Sequence, residues 1–332
     1  MPSLPQALAA NESHFAVRGS DIPVAIFVGG TSGIGEAMVA AFGRYTKGNA
    51  HVIVIGRNKE AGERILSSIP KPRDSSCIPE RVFIYCDVSL MRNVVATANE
   101  LKAKFTKVNY LILSTGLLNM DERTETVEGL EMRLSVSYYS RWLFIRELTG
   151  LVEEGIAKDG AGKGVVLSIL APGYGGELDP DDWEIKSDYS PGKLLSTAVT
   201  YNDLMVEAWA DRRPTVPFVH AHPGLVRTPI FFRSPSYLLK LTGALLVTFA
   251  RFMTISPEES AEWMWYTIDL THTRTLEGVK TGKSPGGSWR TDPFGADKAK
   301  NDKYFGSADK RNGLWKHTEE AILRSLNAEI VD

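Results

Sequence analysis

Short apolar runs rich in β-branched residues recur through the first two thirds of the chain, and helix-length segments separate them. The runs are VAIFV at 24–28, HVIVI at 51–55, RVFIY at 81–85, YLILS at 110–114, VVLSIL at 165–170 and PFVHA at 217–221. Strands that are buried on both faces have continuous apolar sequences, and parallel neighbours need helical crossovers between them. The pattern therefore predicts an α/β fold built on a doubly wound parallel sheet.

The strand rhythm stops after Thr228, where the chain becomes helical and then rich in loops. We expect a single domain over residues 1–332, with a ligand-binding core at 20–228 and an extension at 229–332. Ligands of this fold lie beyond the carboxyl ends of the strands, so the extension is expected to cover a substrate. Its most apolar stretch, at 236–253, is too short and too charged to span a membrane, and we expect a lid helix or a buried helix there.

Composition excludes several classes of protein. The 332 residues are 43% hydrophobic and 23% charged, which is typical of a soluble chain with one large core. A net charge of -2 with no basic cluster argues against nucleic-acid binding. The two cysteines, Cys77 and Cys86, match no metal-binding spacing and no disulfide framework, so we interpret them as structural thiols. The N-terminal segment does not resemble a signal peptide, which favours a cytoplasmic location.

A glycine-rich turn follows the first predicted strand. The sequence VGGTSGIGEAM places Gly29, Gly33 and Gly35 between that strand and a helix. Glycines allow a tight turn and let the backbone approach a pyrophosphate, whose negative charge is stabilised at a helix N-terminus. This context predicts a dinucleotide site.

Four further segments fit one known family. Asp87 and Val88 follow the third strand, LSTG occupies 113–116, GELDPDDW occupies 176–183 and HPGLVRT occupies 222–228. With the glycine-rich turn, they resemble the short-chain dehydrogenase/reductase family over nearly the whole chain. Within the family the chain resembles the retinol-dehydrogenase-like branch and its fungal relatives, many of which belong to secondary-metabolite pathways. The resemblance implies a Rossmann-like oxidoreductase with a nicotinamide cofactor.

The second strand ends at Arg57, where NAD-dependent enzymes usually carry an acidic residue. A guanidinium can hold the 2′-phosphate of NADP(H) by charge-assisted hydrogen bonds, and NADP-dependent members of the family resemble this chain in having arginine there. We therefore expect NADP(H). The glycine-rich turn and the resemblance together give the predicted cofactor-binding residues: Gly29, Thr31, Ser32, Gly33, Ile34, Gly35, Arg57, Asn58, Asp87, Val88, Ser114, Gly116, Asn202, Pro223, Gly224, Val226 and Thr228.

The family also implies a catalytic tetrad, in which a tyrosine and a lysine one helical turn later act together with a serine and an asparagine. The sequence YSPGK offers Tyr189 and Lys193 at that spacing. They act together only if both lie in one helix. Pro191 is favoured at the first helical position and Ser190 as the N-cap, so the sequence predicts that Tyr189 lies outside the helix.

The resemblance places the true catalytic helix a few residues later. Leu195 then stands at the tyrosine position, Val199 at the lysine position, Leu170 at the serine position and Ser137 at the asparagine position. Apolar side chains cannot transfer protons, so the tetrad is predicted to be degenerate. The side chains considered as substitutes in catalysis are Ser168, Ser137, Tyr201, Tyr189, Tyr138, His220 and His222, of which we favour the first three.

Three functions remain open at this point. The leading hypothesis is an NADP(H)-dependent oxidoreductase that acts on a small molecule, an apolar carbonyl, enone or imine with several rings or a long chain. Without a proton donor, activated enones and iminium ions should be preferred over simple ketones. The alternatives are an enzyme that uses the fold for a non-redox cyclisation or isomerisation, and a non-catalytic NADP-binding protein. A homodimer through the fourth and fifth helices is expected by analogy with the family.

Overall fold

The sheet consists of seven parallel strands in the order β3-β2-β1-β4-β5-β6-β7. The computed structural model describes residues 2–16, 22–72, 78–160, 163–230, 240, 254–280, 286–298 and 304–328. The strands are β1 (Val24–Val28), β2 (His51–Gly56), β3 (Arg81–Tyr85), β4 (Tyr110–Leu113), β5 (Val165–Ile169), β6 (Pro217–Ala221) and β7 (Gly287–Thr291). The predicted doubly wound α/β fold is therefore confirmed.

Helices lie on both faces of this sheet. The described helices are α1 (Leu4–Ala16), α2 (Gly33–Tyr45), α3 (Lys59–Ser68), α4 (Met91–Lys104), α5 (Met132–Leu134), α6 (Ser140–Asp159), α7 (Pro191–Arg212), α8 (Pro257–Lys280) and α9 (Ala308–Asn327). A π-helical turn, Ser135–Tyr139, joins α5 to α6. Helices α4, α6 and α7 pack on one face, and helices α1, α2, α3 and α8 belong to the layer on the other.

Apolar residues alternate between the two layers along each central strand. In β1, Ile26 faces the layer of α4, α6 and α7, whereas Ala25 and Phe27 face the layer of α2 and α8. Successive side chains of a strand point to opposite faces, so a strand with helices on both sides needs an apolar residue at every position. This requirement explains why the sequence showed continuous apolar runs.

The six predicted strands are confirmed to within one residue at each end. The seventh strand, β7, was not predicted, because the later part of the chain was expected to lack strands. Its sequence GSWRT contains one large apolar residue, Trp289, and begins at Gly287. Strand β7 pairs with β6 at the edge of the sheet, where a continuous apolar run is not needed.

The C-terminal helix α9 packs against α7 and α4, on the outside of their layer. The ring of Trp315 on α9 lies 5.0 Å from that of Trp142 and 4.8 Å from that of Trp209, measured between centroids. Tyr138 forms a 2.6 Å hydrogen bond with Thr318 on the same helix. The helices through which a dimer was expected, the fourth and fifth of the family, correspond to α6 and α7 here. Helix α9 covers part of their surface. The oligomeric state remains a prediction.

Two earlier expectations concern segments that are only partly described. Cys77 and all of 236–253 except Lys240 lie outside the described residues. Among the helices of the described residues, none has the length and apolar content needed to cross a membrane.

Candidate functional site

A cavity of about 730 Å³ opens at the carboxyl ends of β1, β2, β3 and β4. Its volume lies in the range typical of cofactor sites. Thirteen of the seventeen predicted cofactor residues line it: Gly29, Thr31, Ser32, Gly33, Ile34, Gly35, Arg57, Asn58, Asp87, Val88, Ser114, Gly116 and Thr228. The sequence motifs therefore converge on one cavity in the place where this fold binds ligands.

The glycines of the first turn make room that no other residue would leave. Gly29 and Gly33 have φ angles of +93° and +58°, which L side chains adopt only with strain. A Cβ atom at Gly35 would lie 2.4 Å from the main-chain oxygen of Gly29. The turn leads into the N-terminus of α2, where the helix dipole favours a negative group. These features fit the pyrophosphate of a dinucleotide.

The end of β2 forms the rim of the cavity near Arg57. A Cβ atom at Gly56 would lie 2.9 Å from the side chain of Thr31, so the two positions are closely packed. Arg57 is exposed and forms an ion pair with no carboxylate among the described residues. The Asn58 side chain accepts a hydrogen bond from the Ala61 N–H at 2.9 Å, so it caps α3. Glu60 also lines the cavity and adds a negative charge to this rim.

The opposite end of the cavity, beside β4, is lined mainly by apolar groups. Leu117, Leu118, Val136 and Ile230 line it together with Thr115, Met132 and Pro229. Ser114 donates a hydrogen bond from its hydroxyl to the main-chain oxygen of Val28 at 3.1 Å, which ties β4 to β1 beside the glycine turn. This end of the cavity therefore suits an apolar group.

Cys86 also lines the cavity, near Asp87. Burial raises the pKa of its thiol to about 11, so the thiol stays protonated at neutral pH. A protonated thiol is a poor nucleophile, which agrees with a structural role.

Four of the predicted cofactor residues do not line the cavity. Pro223, Gly224 and Val226 belong to the loop that leads to Thr228. The Ser260 hydroxyl donates a hydrogen bond to the main-chain oxygen of Pro223 at 2.8 Å, so this loop is held from α8. Asn202 is fully buried under β5. The loop residues can position Thr228, whereas Asn202 is separated from the cavity.

The start of α7 answers the question raised by the sequence YSPGK. Helix α7 begins at Pro191, and the Ser190 side chain caps it by accepting a hydrogen bond from the Lys193 N–H, as predicted. Tyr189 donates its hydroxyl hydrogen to the main-chain oxygen of Asp121 at 2.7 Å. The Lys193 ammonium group lies 3.0 Å from the carboxylate of Asp188. Tyr189 and Lys193 therefore do not form a pair on one helical face.

The positions that were predicted to correspond to the family's proton-transfer residues carry apolar side chains. Leu195 on α7 is 49% exposed, while Val199, one turn later, is buried. Leu170, the residue after β5, is partly buried and packs against the core. No group at these three positions can give or take a proton.

The three favoured catalytic candidates, Ser168, Ser137 and Tyr201, are all buried, and none lines the cavity. The Ser168 hydroxyl donates to Asn202 Oδ1 at 2.8 Å, and the Ser137 hydroxyl donates to the main-chain oxygen of Arg133 at 2.5 Å. Tyr201 donates to the main-chain oxygen of Trp183 at 2.7 Å, and burial raises its pKa well above its usual value. Their catalytic roles remain predictions, and their hydroxyls are already engaged inside the protein.

The side chain of Asn202 connects α7 to the π-helical turn Ser135–Tyr139. Its side-chain N–H groups donate to the main-chain oxygens of Ser137 at 2.9 Å and Ala198 at 2.8 Å. Ser137 was predicted to stand where the family has an asparagine that supports a water relay. The main-chain oxygen of Ser137 is satisfied by the side chain of Asn202.

Two groups near this region contain side chains that the sequence did not single out. Tyr174 is 63% exposed, and its ring stacks on that of His222 with 5.1 Å between centroids. The Lys298 ammonium lies 5.2 Å from the Tyr174 ring. Burial, with a smaller effect from Lys298, lowers the pKa of His222 to about 4. These three side chains come from the segments that follow three neighbouring strands: Tyr174 after β5, His222 after β6 and Lys298 after β7. Their contact could be predicted only from the order of the strands in the sheet.

The second group is Arg141, a fully buried arginine on α6. Its guanidinium donates to the Ser168 hydroxyl at 2.6 Å and to the main-chain oxygen of Ile169 at 2.9 Å. The signal in the sequence was a charged residue inside the apolar run YYSRWLF. The remaining candidates considered from sequence are also engaged: Tyr138 with Thr318, and His220 with Asp203 at 2.6 Å.

Comparison with known proteins gives a consistent result. The family described as short chain dehydrogenase matches residues 23–140. An oxidoreductase of Emericella nidulans is 30% identical over 260 residues, which are 77% of this chain and 74% of that protein. Human polyprenol dehydrogenase is 29% identical over 265 residues, 77% of this chain and 74% of that protein.

Among solved structures, L-sorbose reductase from Gluconobacter frateurii, complexed with NADPH and L-sorbose, superposes with a TM-score of 0.53. The identity is 16%, and the match covers 83% of this chain and 97% of that chain. This likeness shows the fold.

Proposed function

The chain belongs to the short-chain dehydrogenase family of oxidoreductases, and we propose that it is an NADP(H)-dependent member acting on an apolar carbonyl, enone or imine. The observation that carries the proposal is Arg57, an exposed arginine without an ion-pair partner among the described residues, at the rim of a glycine-lined cavity. A 2′-phosphate at this rim would supply the anion that Arg57 lacks.

When bound, NADPH supplies a hydride from its nicotinamide ring. The residues of this chain bind and orient it. The turn from Gly29 to Gly35 leaves space for the pyrophosphate, and Thr115–Leu118 and Thr228–Ile230 line the end of the cavity beside β4. Holding two reactants in the correct geometry accelerates a reaction even without acid or base catalysis.

The proton side of the reaction receives little help from the protein. Leu170, Leu195 and Val199 occupy the positions of three proton-transfer residues of the family. A positioned general acid contributes roughly 10²–10⁴-fold to a rate, so simple ketones should be reduced slowly. An activated enone can instead receive its proton from solvent after hydride transfer.

An apolar substrate is supported by the side chains at the mouth of the cavity. Leu117 is partly exposed in the cavity lining, and Met120, three residues later in the chain, is 51% exposed. A human relative is named as a polyprenol dehydrogenase. A cytoplasmic location and a place in secondary metabolism remain predictions.

The cofactor part of the proposal is tested by titrating the purified protein with NADPH and NADH. NADPH is expected to bind more tightly, and Arg57→Ala should reduce the difference by about 10–100-fold, because a charge-assisted hydrogen bond is lost. Glu60→Gln should move NADPH affinity in the opposite direction. Arg64→Ala is the matched control, since Arg64 is exposed on α3 and pairs with Glu36. Equal affinities for NADPH and NADH in the unmodified protein would contradict the assignment.

The redox part is tested by incubating the protein and NADPH with aromatic ketones, enones, imines and polycyclic precursors. Loss of the reduced-nicotinamide absorbance together with a product that has gained two hydrogens supports an oxidoreductase acting on that class. An isomeric product formed without loss of NADPH would contradict it and support the non-redox alternative.

A further inference from the structure

Arg141 on α6 is a buried cation that forms an ion pair with no carboxylate among the described residues. It is 1% exposed, and its guanidinium donates hydrogen bonds only to neutral acceptors: the Ser168 hydroxyl and the main-chain oxygens of Ile169 and Thr115. Its Nε has no hydrogen-bond partner in the part of the chain that the structure describes. Burying a charge without an opposite charge is costly, so the position is not explained by stability.

The buried groups around Arg141 do not cancel its charge. The carboxylate that belongs to this network is Asp203, which lies 2.6 Å from His220 Nδ1 and 3.6 Å from the Arg290 guanidinium. Burial lowers the pKa of His220, so the imidazole is neutral. Arg290 also interacts with Glu207, so Asp203 and Glu207 lie against His220 and Arg290, and no carboxylate among the described residues forms an ion pair with Arg141. Burial also lowers the pKa of Arg141 to about 9, which leaves it charged at neutral pH.

The unbalanced charge lies under one particular end of the cavity. Thr115, whose main-chain oxygen accepts from Arg141, follows β4 and lines the cavity. Ile169, the second main-chain acceptor, ends β5. In the sheet, β4 and β5 lie on the opposite side of β1 from β2 and β3, which carry Arg57 and Asp87. The charge is therefore placed at the apolar end, away from the Arg57 rim.

Resting on the proposed function, we propose that Arg141 is a positioning residue whose charge selects hydride acceptors on which negative charge develops. Hydride addition to the β-carbon of a neutral enone forms a C–H bond, moves the C=C electrons and leaves an enolate, which solvent then protonates. Hydride addition to an iminium carbon converts a cation into a neutral amine. A buried positive charge stabilises the enolate and repels the iminium ion. The acceptor class is thereby narrowed to neutral enones and related conjugated carbonyls.

The size of the effect follows from electrostatics. A unit charge at separations of roughly 7–10 Å, in a medium of intermediate dielectric constant, changes an equilibrium by about tenfold or more. The same charge should discriminate between the neutral ring of NADPH and the cationic ring of NADP⁺. This second consequence can be measured without any substrate.

The binding experiment uses the full chain and the variants Arg141→Gln and Arg141→Lys. The unmodified protein is expected to bind NADPH about tenfold more tightly than NADP⁺, with Arg141→Lys retaining that ratio and Arg141→Gln lowering it toward one. Arg146→Gln, an exposed arginine of the same helix that pairs with Glu147, is the matched control and should keep the ratio. Thermal unfolding checks that each variant is folded.

The substrate experiment compares a neutral enone with an iminium ion of similar shape. Arg141→Gln should lower the rate with the enone at least about tenfold while leaving the iminium rate unchanged or higher. A merely structural role would lower both rates equally, and that result would overturn the inference. An unchanged NADPH to NADP⁺ ratio in a folded Arg141→Gln protein would overturn it as well.

Two outcomes separate this inference from the proposed function. If Arg141→Gln does not fold, equal affinities of the unmodified protein for NADPH and NADP⁺ suffice to reject the inference. If neither dinucleotide binds the unmodified protein, the proposed function itself fails.

Discussion

The site has two halves that differ in how their residues pack. We call the half beside β1–β3 the open half, and the half beside β5 and α7 the closed half. In the first half, Gly29 and Gly35 keep side chains away and leave an open cavity. In the second half, Ser168 and Asn202 are fully buried and bonded to each other. The comparison teaches that one fold can combine an open cavity suited to a ligand with a closed network of buried polar groups beside it.

The two halves also differ in what their residues do for stability. A Cβ atom at Gly29 or Gly35 would meet main-chain atoms, and such glycines contribute space to the cavity. The polar groups of Ser168 and Asn202 satisfy one another and two main-chain oxygens, and such buried hydrogen bonds make a core rigid. Changes at Gly29 or Gly35 should therefore affect binding, and changes at Ser168 or Asn202 should affect folding.

The largest expected effect tests the open half. Gly35→Ala should lower the affinity for NADPH by about 100-fold or more, because the new Cβ would lie 2.4 Å from the Gly29 oxygen and displace the turn that holds the pyrophosphate. Isothermal titration measures the affinity, and thermal unfolding shows whether the protein remains folded.

Gly150→Ala is the control for this substitution. Gly150 lies within α6, and a Cβ there would have no atom within 4 Å. This change should leave binding intact and raise the free energy of unfolding by about 0.5–1 kcal/mol. Unchanged NADPH affinity in Gly35→Ala would show that the glycine turn does not hold the cofactor.

The sequence was sufficient to predict the strands because each central strand is buried on both faces. The run HVIVI around Ile53 cannot be anything other than apolar when helices cover both sides. Strand β7 escaped prediction because an edge strand carries no such constraint, and its Trp289 stands alone among small and polar residues. Local pattern therefore predicts an element only where packing forces the pattern.

The same reasoning explains what could be predicted of the site. The glycine turn and Arg57 are local motifs, so their positions in the cavity followed from the chain itself. Arg141 and Tyr174 gained their neighbours through packing between segments far apart in sequence. Periodicity placed Ser168 on the side of Leu170 correctly, but it could not show that Arg141 and Asn202 would enclose its hydroxyl.

Low pH should destabilise the closed half of the site before it destabilises the open half. Burial lowers the pKa of both His222 and His317 to about 4, below the value of about 6.5 expected in an unfolded chain. Between these values the unfolded state binds more protons than the folded state, so stability falls as the pH decreases from about 6.5 to about 4. The loss should be about 2 kcal/mol for each histidine, after allowance for partial exposure.

The measurement is thermal unfolding between pH 7 and pH 4, combined with amide hydrogen exchange. Exchange should rise in α7 and α9, where His317 accepts or donates a 2.7 Å hydrogen bond with Tyr139, before it rises in β1 and β2. His317→Gln should flatten the dependence of stability on pH. Faster exchange in β1 and β2 at a higher pH than in α9 would contradict the ranking of the two halves.

The smallest expected effect concerns the two residues that most resemble a catalytic pair. Tyr189→Phe and Lys193→Ala should each change any hydride-transfer rate by less than about threefold, because neither group acts on the proton. The Tyr189 hydroxyl is held by Asp121 and Arg133, and the Lys193 ammonium pairs with Asp188 in a largely exposed position. The changes should instead appear as a modest loss of stability, about 1 kcal/mol for the hydroxyl and less for the surface ion pair.

Stopped-flow measurement of the loss of reduced-nicotinamide absorbance separates the hydride step from product release. Tyr85→Phe, a substitution of an exposed tyrosine at the end of β3, shows the effect of losing the hydroxyl of a solvent-exposed side chain. A fall of two or more orders of magnitude in either variant would mean that the start of α7 rearranges when substrate binds, so that Tyr189 and Lys193 come to share one face and the closed half is catalytic after all.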